Sequence, residues 1–292
     1  MPRISIAVPC FNGEQLLAES LADLQRQTFT DFEVIIYNNA STDHTGAIAE
    51  DFATRDHRFR VVNRPQTIPL YDHFRTTISE TDSDLFMWRA DDDLSAPNYI
   101  EALLRALDQN PGAVLAAAQI RTNRVNLEKT RIRALPARSA NRLVDALHLL
   151  KSSHPSWLYG LFRKDAIGRY YPPTLDLWPH NWGVDHATLF PILLSGSIAL
   201  TDKTYFIQRT GYSADRLGRV RLPYAEQCEI YAGFSTYCKS WIAKSEFNKA
   251  EKAILYANLP IYAHRRTFRT RKMLLSRWRE FYRNRLIKAP GQ

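Results

Sequence analysis

Leu85-Phe86-Met87-Trp88-Arg89-Ala90-Asp91-Asp92-Asp93 is a run of four apolar residues that ends, two positions on, in three adjacent carboxylates. A short continuous apolar run is the pattern of a strand buried on both faces of a parallel sheet. Three neighbouring carboxylates repel one another, and at a buried strand end they need a cation to be tolerated. Oxygen donors of this kind suit Mg²⁺ or Mn²⁺, which take one or two carboxylates and substrate phosphates. A solvated acidic turn is the plain alternative for the triplet taken alone.

The same strand-and-turn unit recurs on either side. Ile4–Val8 is a β-rich run stopped by Pro9, Phe32–Tyr37 is continuously apolar, and Phe59–Val62 reads as a further strand. Helical spacing fills the gaps: Glu14–Gln27 with Leu16, Leu17, Leu21 and Leu24 on one side, a helix capped by Ser41-Thr42-Asp43 and running through Phe52, Leu70–Ser79, and a helix from Pro97 through Leu107. Alternating strands and helices predict an α/β fold, a Rossmann-like, mostly parallel sheet flanked by helices. Ligands bind such sheets beyond the carboxyl ends of the strands. Pro9–Glu14, Asn38–Asp43 and Asp91–Asp93 all fall there, so one crevice is expected to collect them.

Further along, Ala113–Ile120 reads as a strand or short helix and Arg121–Asn141 as a polar connection. Ser156–Phe162, Ile198–Leu200 and Tyr205–Gln208 read as strands, and Val184–Leu194 as an apolar helix ended by Gly196. Beyond Pro223 the pattern is helical.

The chain has 292 residues and a net charge of +9. The charge is local: His264–Gln292 holds ten Lys or Arg against one acid, Glu280, and so carries the whole excess. That distribution argues for a basic appendage rather than a nucleic-acid binder, and no recognised RNA-binding motif accompanies it. Leu274, Trp278, Phe281 and Tyr282 share helical spacing, so His264–Lys288 predicts a basic amphipathic helix. Such a helix suits an anionic membrane surface, or packing on the main domain. Cys10, Cys228 and Cys238 are odd in number and widely spaced, which fits reduced thiols. With no apolar leader and no spanning run, the expectation is a cytoplasmic protein, at most peripheral at the inner face of the membrane.

Taken together, the three polar clusters resemble those of the inverting family 2 glycosyltransferases of the GT-A fold. Pro9–Glu14 is similar to that family's Pro-x-aromatic-Asn-x-Glu start, Tyr37–Asp43 to its acidic or amide pair followed by Gly/Ala-Ser-Thr-Asp, and Asp91–Asp93 to its Asp-x-Asp motif. The resemblance covers about Ile4–Arg209. It implies a nucleotide-sugar-binding and catalytic part over residues 1–215 and a helical, basic C-terminal extension over 216–292. It further implies that Pro9, Phe11, Asn12, Glu14, Asn38 and Asn39 hold the nucleoside, and that Asp91 and Asp92 serve the donor. Asp91 and Asp93 would hold Mg²⁺ or Mn²⁺. Arg209 would face the leaving diphosphate, with Arg89 a second candidate for that work. The general base falls on Asp185 in Trp182-Gly183-Val184-Asp185-His186, where Val184 replaces the first acid of the family's pair; by local sequence Asp185 equally suits a helix cap. His186 is a neighbour that could tune the site. Trp157–Arg163 resembles the segment that precedes the base.

The implied activity is transfer of a single sugar from a nucleotide diphosphate donor to the hydroxyl of a glycan or lipid-linked acceptor, as in cell-surface polysaccharide or glycolipid synthesis. No Gln-x-x-Arg-Trp occurs, which sets aside the processive synthases. A non-catalytic nucleotide-sugar-binding protein on the same scaffold stays open as an alternative. So does a nucleotidyltransferase, although Pro9–Glu14 offers only Gly13 where that class wants a glycine-rich loop.

Overall fold

The computed structural model describes residues 2–124, 130–178, 180, 182–210, 222–267 and 277. Among the described residues nine strands form one sheet: β1 (Ile4–Cys10), β2 (Phe32–Asn38), β3 (Phe59–Asn63), β4 (Leu85–Trp88), β5 (Leu94–Ser95), β6 (Leu115–Arg124), β7 (Thr130–Arg133), β8 (Leu161–Arg163) and β9 (Ile198–Thr210). Their order is β3-β2-β1-β4-β8-β6-β9-β5, with β7 paired to β6. β1, β2, β3 and β4 run parallel, as do β6 and β9, whereas the short strands β5, β7 and β8 run antiparallel to their neighbours. The sheet is therefore mixed but mostly parallel, as the alternation predicts.

The helices are α1 (Leu17–Gln25), α2 (Thr45–Arg55), α3 (Leu70–Ser79), α4 (Tyr99–Asp108), α5 (Arg142–Ser152), α6 (Lys164–Leu177), α7 (Val184–Ser195), α8 (Tyr224–Lys244) and α9 (Lys249–Arg266). Every residue of β1 and of β4 is buried, because helices cover both faces. α4 buries Tyr99, Ile100, Leu103, Leu104 and Leu107, the spacing that sets one helical stripe against the sheet. α7 is apolar almost all round and buried accordingly; left-handed glycines, Gly183 and Gly196, bound it at φ 75° and 72°. Phe234 and Tyr262, from α8 and α9, join the same hydrophobic core as the sheet, with Tyr262 against Phe190 of α7 at 5.4 Å between ring centroids.

Several expectations shift. α1 starts at Leu17 rather than Glu14, because Gly13–Leu16 makes a turn whose Gly13 carbonyl accepts from Leu16 and Leu17. α2 starts at Thr45; its cap position is His44, and Asp43 accepts from the Thr45 N–H at 3.0 Å. α4 starts at Tyr99, two residues after Pro97. Residues 121–141, read as a connection, instead carry the end of β6 and all of β7. Ser156–Phe162 is a tight 3-10 turn, Pro155–Tyr159, that feeds the three-residue β8. Gly160 joins them: a Cβ there would run into the Ala116 carbonyl, so only glycine lets β8 approach β6. The two short strands expected over 198–208 are one, β9, with a register shift opposite Ala118/Gln119. α5 and α6 had no reading in the sequence.

Most of the basic tail, including Leu274, Trp278, Phe281 and Tyr282, lies outside the described residues. Among the described residues no helix is long and apolar enough to cross a membrane, and Cys10, Cys228 and Cys238 are unbridged.

Candidate active site

β1, β2 and β4 end side by side: Cys10 is in register with Asn38, and Ala7 with Trp88. The turns that follow lock together. The Asn12 N–H donates to Ser41 Oγ at 3.0 Å, Asn12 Oδ1 accepts from the Thr42 N–H at 2.9 Å, and the Gly13 N–H donates to Thr45 Oγ1 at 2.8 Å. Glu14 accepts from the His44 N–H at 3.0 Å, a bond that leads the causes holding its carboxyl below the usual range. Asn12 (φ 48°) and Ala40 (φ 55°) sit in the left-handed region, which costs a non-glycine residue roughly 1–2 kcal/mol. Such strain persists where surroundings over-determine the backbone, commonly at binding sites. Pro9 is buried at the end of β1, and Phe11 beyond it is half-buried.

Both expected nucleoside amides are engaged within the protein. Asn38 donates to Asn63 Oδ1 at 2.9 Å and accepts from the Ser41 N–H at 3.1 Å. Asn39 clamps the backbone of Ile68, donating to its carbonyl at 2.9 Å and accepting from its N–H at 3.0 Å. The loop before α3 is thereby tied to the end of β2.

Asp91 and Asp93 are buried and Asp92 is half-buried. Burial, then the neighbouring Asp92, push the Asp93 carboxyl up to about 8. Asp93 Oδ1 accepts the Arg209 N–H at 2.7 Å, so β9 is fastened to the triplet. The Arg209 side chain reaches the Asp92 carbonyl through Nε and Glu19 through Nη1, leaving Nη2 buried without a hydrogen-bond partner among the described residues. Arg89, expected beside the diphosphate, turns inward instead. It is fully buried, paired with Asp23, and lies 5.3 Å from the centre of the Phe206 ring. Asp23 also accepts from Ser95 N–H at 3.1 Å and Ser95 Oγ at 2.8 Å, which anchors β5 directly after the triplet.

Tyr159 is the residue that the sequence did not single out. Its ring stacks on Phe206 with centroids 5.5 Å apart and 16° between planes. Its hydroxyl is driven well above the usual range by burial, and then by the fields of Asp93, Asp92, Asp185 and Asp91. One phenol thus feels both the triplet and Asp185 in the first turn of α7. The aromatic in Trp157-Leu158-Tyr159-Gly160 was the available signal. Asp185 Oδ1 also accepts the His186 N–H at 2.8 Å, so this carboxylate serves the first turn of its helix as well. His186 itself is buried and kept neutral by burial, with Arg266, His154 and Arg133 adding to the effect.

At the triplet, Asp91, Asp92 and Asp93 supply oxygen donors. Two buried carboxylates, one with a raised pKa, fit a divalent cation that completes its shell from a substrate. Among the described residues no group of three or more His, Cys, Asp or Glu stands ready as a full ligand set.

In sequence, the chain is 44% identical over 64 residues to an uncharacterized glycosyltransferase, EpsJ, of Bacillus subtilis (strain 168), covering 22% of this chain and 19% of that one. The matched stretches span 15% to 40% of the length of the curated relatives. In structure, it resembles S. aureus TarS 1–349 in complex with UDP-GlcNAc, at a TM-score of 0.65 and 16% identity over 90% of this chain and 72% of that one. It also resembles the mannosyltransferase PcManGT from Pyrobaculum calidifontis in complex with GDP-Man and Mn²⁺, at a TM-score of 0.53 and 13% identity over 92% and 87% of the two chains. At these identities the likeness is one of fold, GT-A. The sequence profile of Glycosyl transferase family 2 matches residues 5–187, a stretch that starts in β1 and ends just past Asp185, and the chain belongs to that family.

Proposed function

We propose that the chain moves a single sugar from a nucleotide diphosphate donor to an acceptor hydroxyl, with inversion at the anomeric carbon. The observation that supports this reading is that two carboxylate groups, the triplet after β4 and Asp185 at the start of α7, both act electrostatically on the phenol of Tyr159. Two separated acidic positions are what a single displacement needs, one to serve the leaving group and one to serve the nucleophile.

In this reading the Pro9–Glu14 turn and the Asn38–Asn39 turn form the nucleoside wall. Pro9 and Phe11 supply apolar surface, while Asn12, Glu14, Asn38 and Asn39 hold the wall in shape through the bonds described above. Asp91 and Asp92 face the donor ribose and diphosphate. Asp91 and Asp93 would hold Mg²⁺ or Mn²⁺, whose chemistry when bound is to neutralise charge developing on the departing diphosphate. Arg209 Nη2, without a hydrogen-bond partner among the described residues, donates to the same phosphates. Asp185 takes the proton of the acceptor hydroxyl as its oxygen bonds to the anomeric carbon, and the bond from that carbon to the diphosphate oxygen breaks on the opposite face. The acceptor is a glycan or a lipid-linked glycan. Residues 1–215 carry this chemistry, and the basic extension over 216–292 lies against an anionic membrane surface, at its inner face, through His264–Lys288.

The test separates a transferase from a non-catalytic nucleotide-sugar binder. Asp185→Asn is expected to keep Mn²⁺-dependent binding of the donor nucleotide and to lose transfer about 10²–10⁴-fold. Asp93→Ala is expected to lose the metal-dependent binding itself, read as a thermal shift with UDP or GDP. Full turnover by Asp185→Asn would remove it as the base.

A further inference from the structure

Away from the crevice, α5, α7, α8 and α9 enclose a cavity of about 270 Å³ that the chemistry above does not use. Its buried lining is apolar: Leu150 from α5, Phe190 from α7, Ile242 from α8, and Leu255 and Leu259 from α9. An apolar cavity of roughly 150 Å³ already takes benzene, so this one has room for a stretch of aliphatic chain.

The mouth differs from the floor. The exposed residues of the lining are Lys151, Asn258, Ile261 and Arg265, so the cavity opens between the end of α5 and the last turns of α9. Ile254, Asn258, Ile261 and Arg265 follow the i, i+4, i+7, i+11 spacing of a single helical stripe. Ile254 and Ile261 are 44% and 55% exposed, so apolar side chains stand on the surface beside the opening.

None of the described lining residues is acidic. Arg266 is already engaged: its Nη2 donates to the Leu150 and Lys151 carbonyls, both at 3.0 Å, and the Asp185 carboxylate opposes its charge. His148 Nδ1 is bonded to the Ala137 carbonyl at 3.0 Å. The other carboxylates of α5, of the turn before α9 and of α9 itself are committed elsewhere: Asp145 to Arg138, Glu246 to Arg142, and Glu251 to the cap of α9. Lys151 and Arg265 enter no ion pair among the described residues.

Two unpaired cations thus stand at the mouth of an apolar cavity. A free phosphate would answer the cations and leave the cavity unfilled. An uncharged apolar segment would fill the cavity and leave the cations unanswered. A molecule with an aliphatic chain and an anionic head does both. The exposed isoleucine stripe beside the mouth favours a bilayer as its source, because a helix with such a face rests among lipid headgroups, and lysine and arginine there meet anionic lipid.

We infer that this cavity takes one acyl chain of an anionic phospholipid of the bilayer, whose phosphate is held at Lys151 and Arg265. The inference rests on the membrane reading of residues 216–292 given above and names the lipid that this region holds.

The experiment is titration calorimetry of the full chain with short-chain phosphatidylglycerols dispersed as monomers. The dihexanoyl lipid is expected to bind about tenfold more tightly than the dibutanoyl lipid, since two more methylenes of the seated chain leave water. Lys151→Gln changes an exposed residue and should weaken binding about fivefold, and dihexanoyl phosphatidylcholine should bind more weakly than its anionic counterpart. Leu147→Trp, at a half-buried position of the lining, fills the cavity and should abolish the preference for the longer chain. Absence of phosphatidylglycerol binding, or binding indifferent to chain length and to Lys151→Gln, overturns the inference. Tighter binding of geranyl phosphate than of either phosphatidylglycerol also overturns it, and gives the cavity to an isoprenoid chain instead. Sedimentation with phosphatidylcholine vesicles containing phosphatidylglycerol tests the membrane reading separately. Wild type that sediments with vesicles but ignores monomeric lipid keeps the membrane reading and loses the cavity. Wild type that binds monomeric lipid in the expected pattern but does not sediment keeps the cavity and loses the membrane reading.

Discussion

Asp23→Ala should be among the most damaging single substitutions outside the crevice. Arg89 is fully buried, and its ion pair is with Asp23, whose side chain is 10% exposed. Nε and Nη1 of Arg89 have no hydrogen-bond partner among the described residues, so the loss of Asp23 strands a buried guanidinium. Removing one partner of a buried pair costs about 3–5 kcal/mol, because the desolvation of the other is no longer offset. At ~2–4 °C per kcal/mol for a chain near this size, the expected fall in Tm is about 6–20 °C. The Ser95 N–H and hydroxyl lose their acceptor in the same change, so β5 slackens directly behind the triplet. Scanning calorimetry reads the first effect, and Mn²⁺-dependent nucleotide binding the second. The double substitution Asp23→Leu with Arg89→Met removes both charges and should recover most of the loss. A drop of under about 1 kcal/mol for Asp23→Ala, or a double variant no better than the single, would refute the argument that this pair is held by burial.

Two further outcomes are expected. Gly160→Ala drives a methyl into the Ala116 carbonyl and the Leu115 side chain, so it should cost about 1–3 kcal/mol in a urea titration, whereas Gly112→Ala, with open space around it, should cost little. Asp56 is held down at about 2, chiefly by the hydrogen bond from the Arg58 side chain. Its folded value lies below the ordinary ~3.9, so its contribution to stability is present above about pH 4 and is lost as pH falls through about 2. Arg58→Gln should flatten that acid limb of the urea midpoint between pH 5 and pH 2, and an unchanged limb would exclude this pair as its source.

How much could be read without coordinates depended on range. The runs Ile4–Val8, Phe32–Tyr37 and Leu85–Trp88 declared β1, β2 and β4, because a strand covered on both faces must be apolar at every position. The amide-rich and acidic turns after them were legible for the same reason: polar residues that interrupt such runs mark where the sheet ends. α5 and α6 were not, since α6 carries Pro172 and Pro173 and the 3-10 turn before it hides inside a strand-like run.

Local pattern thus decided β1 to β4, where the family's motifs lie, and that Asp185 opens an apolar helix. Tertiary packing alone decided that β9 is a single strand paired with β6, that Arg89 turns into the core rather than toward the crevice, and that Asn38 and Asn39 direct their amides to Asn63 and Ile68. The physical reason is that a side chain's apolarity shows in its own neighbourhood, whereas the partner of a polar group is set by whichever distant segment the fold brings within about 3 Å. Tyr159 shows the same limit: nothing beside it in the chain announces that the triplet and Asp185 will both act on its hydroxyl.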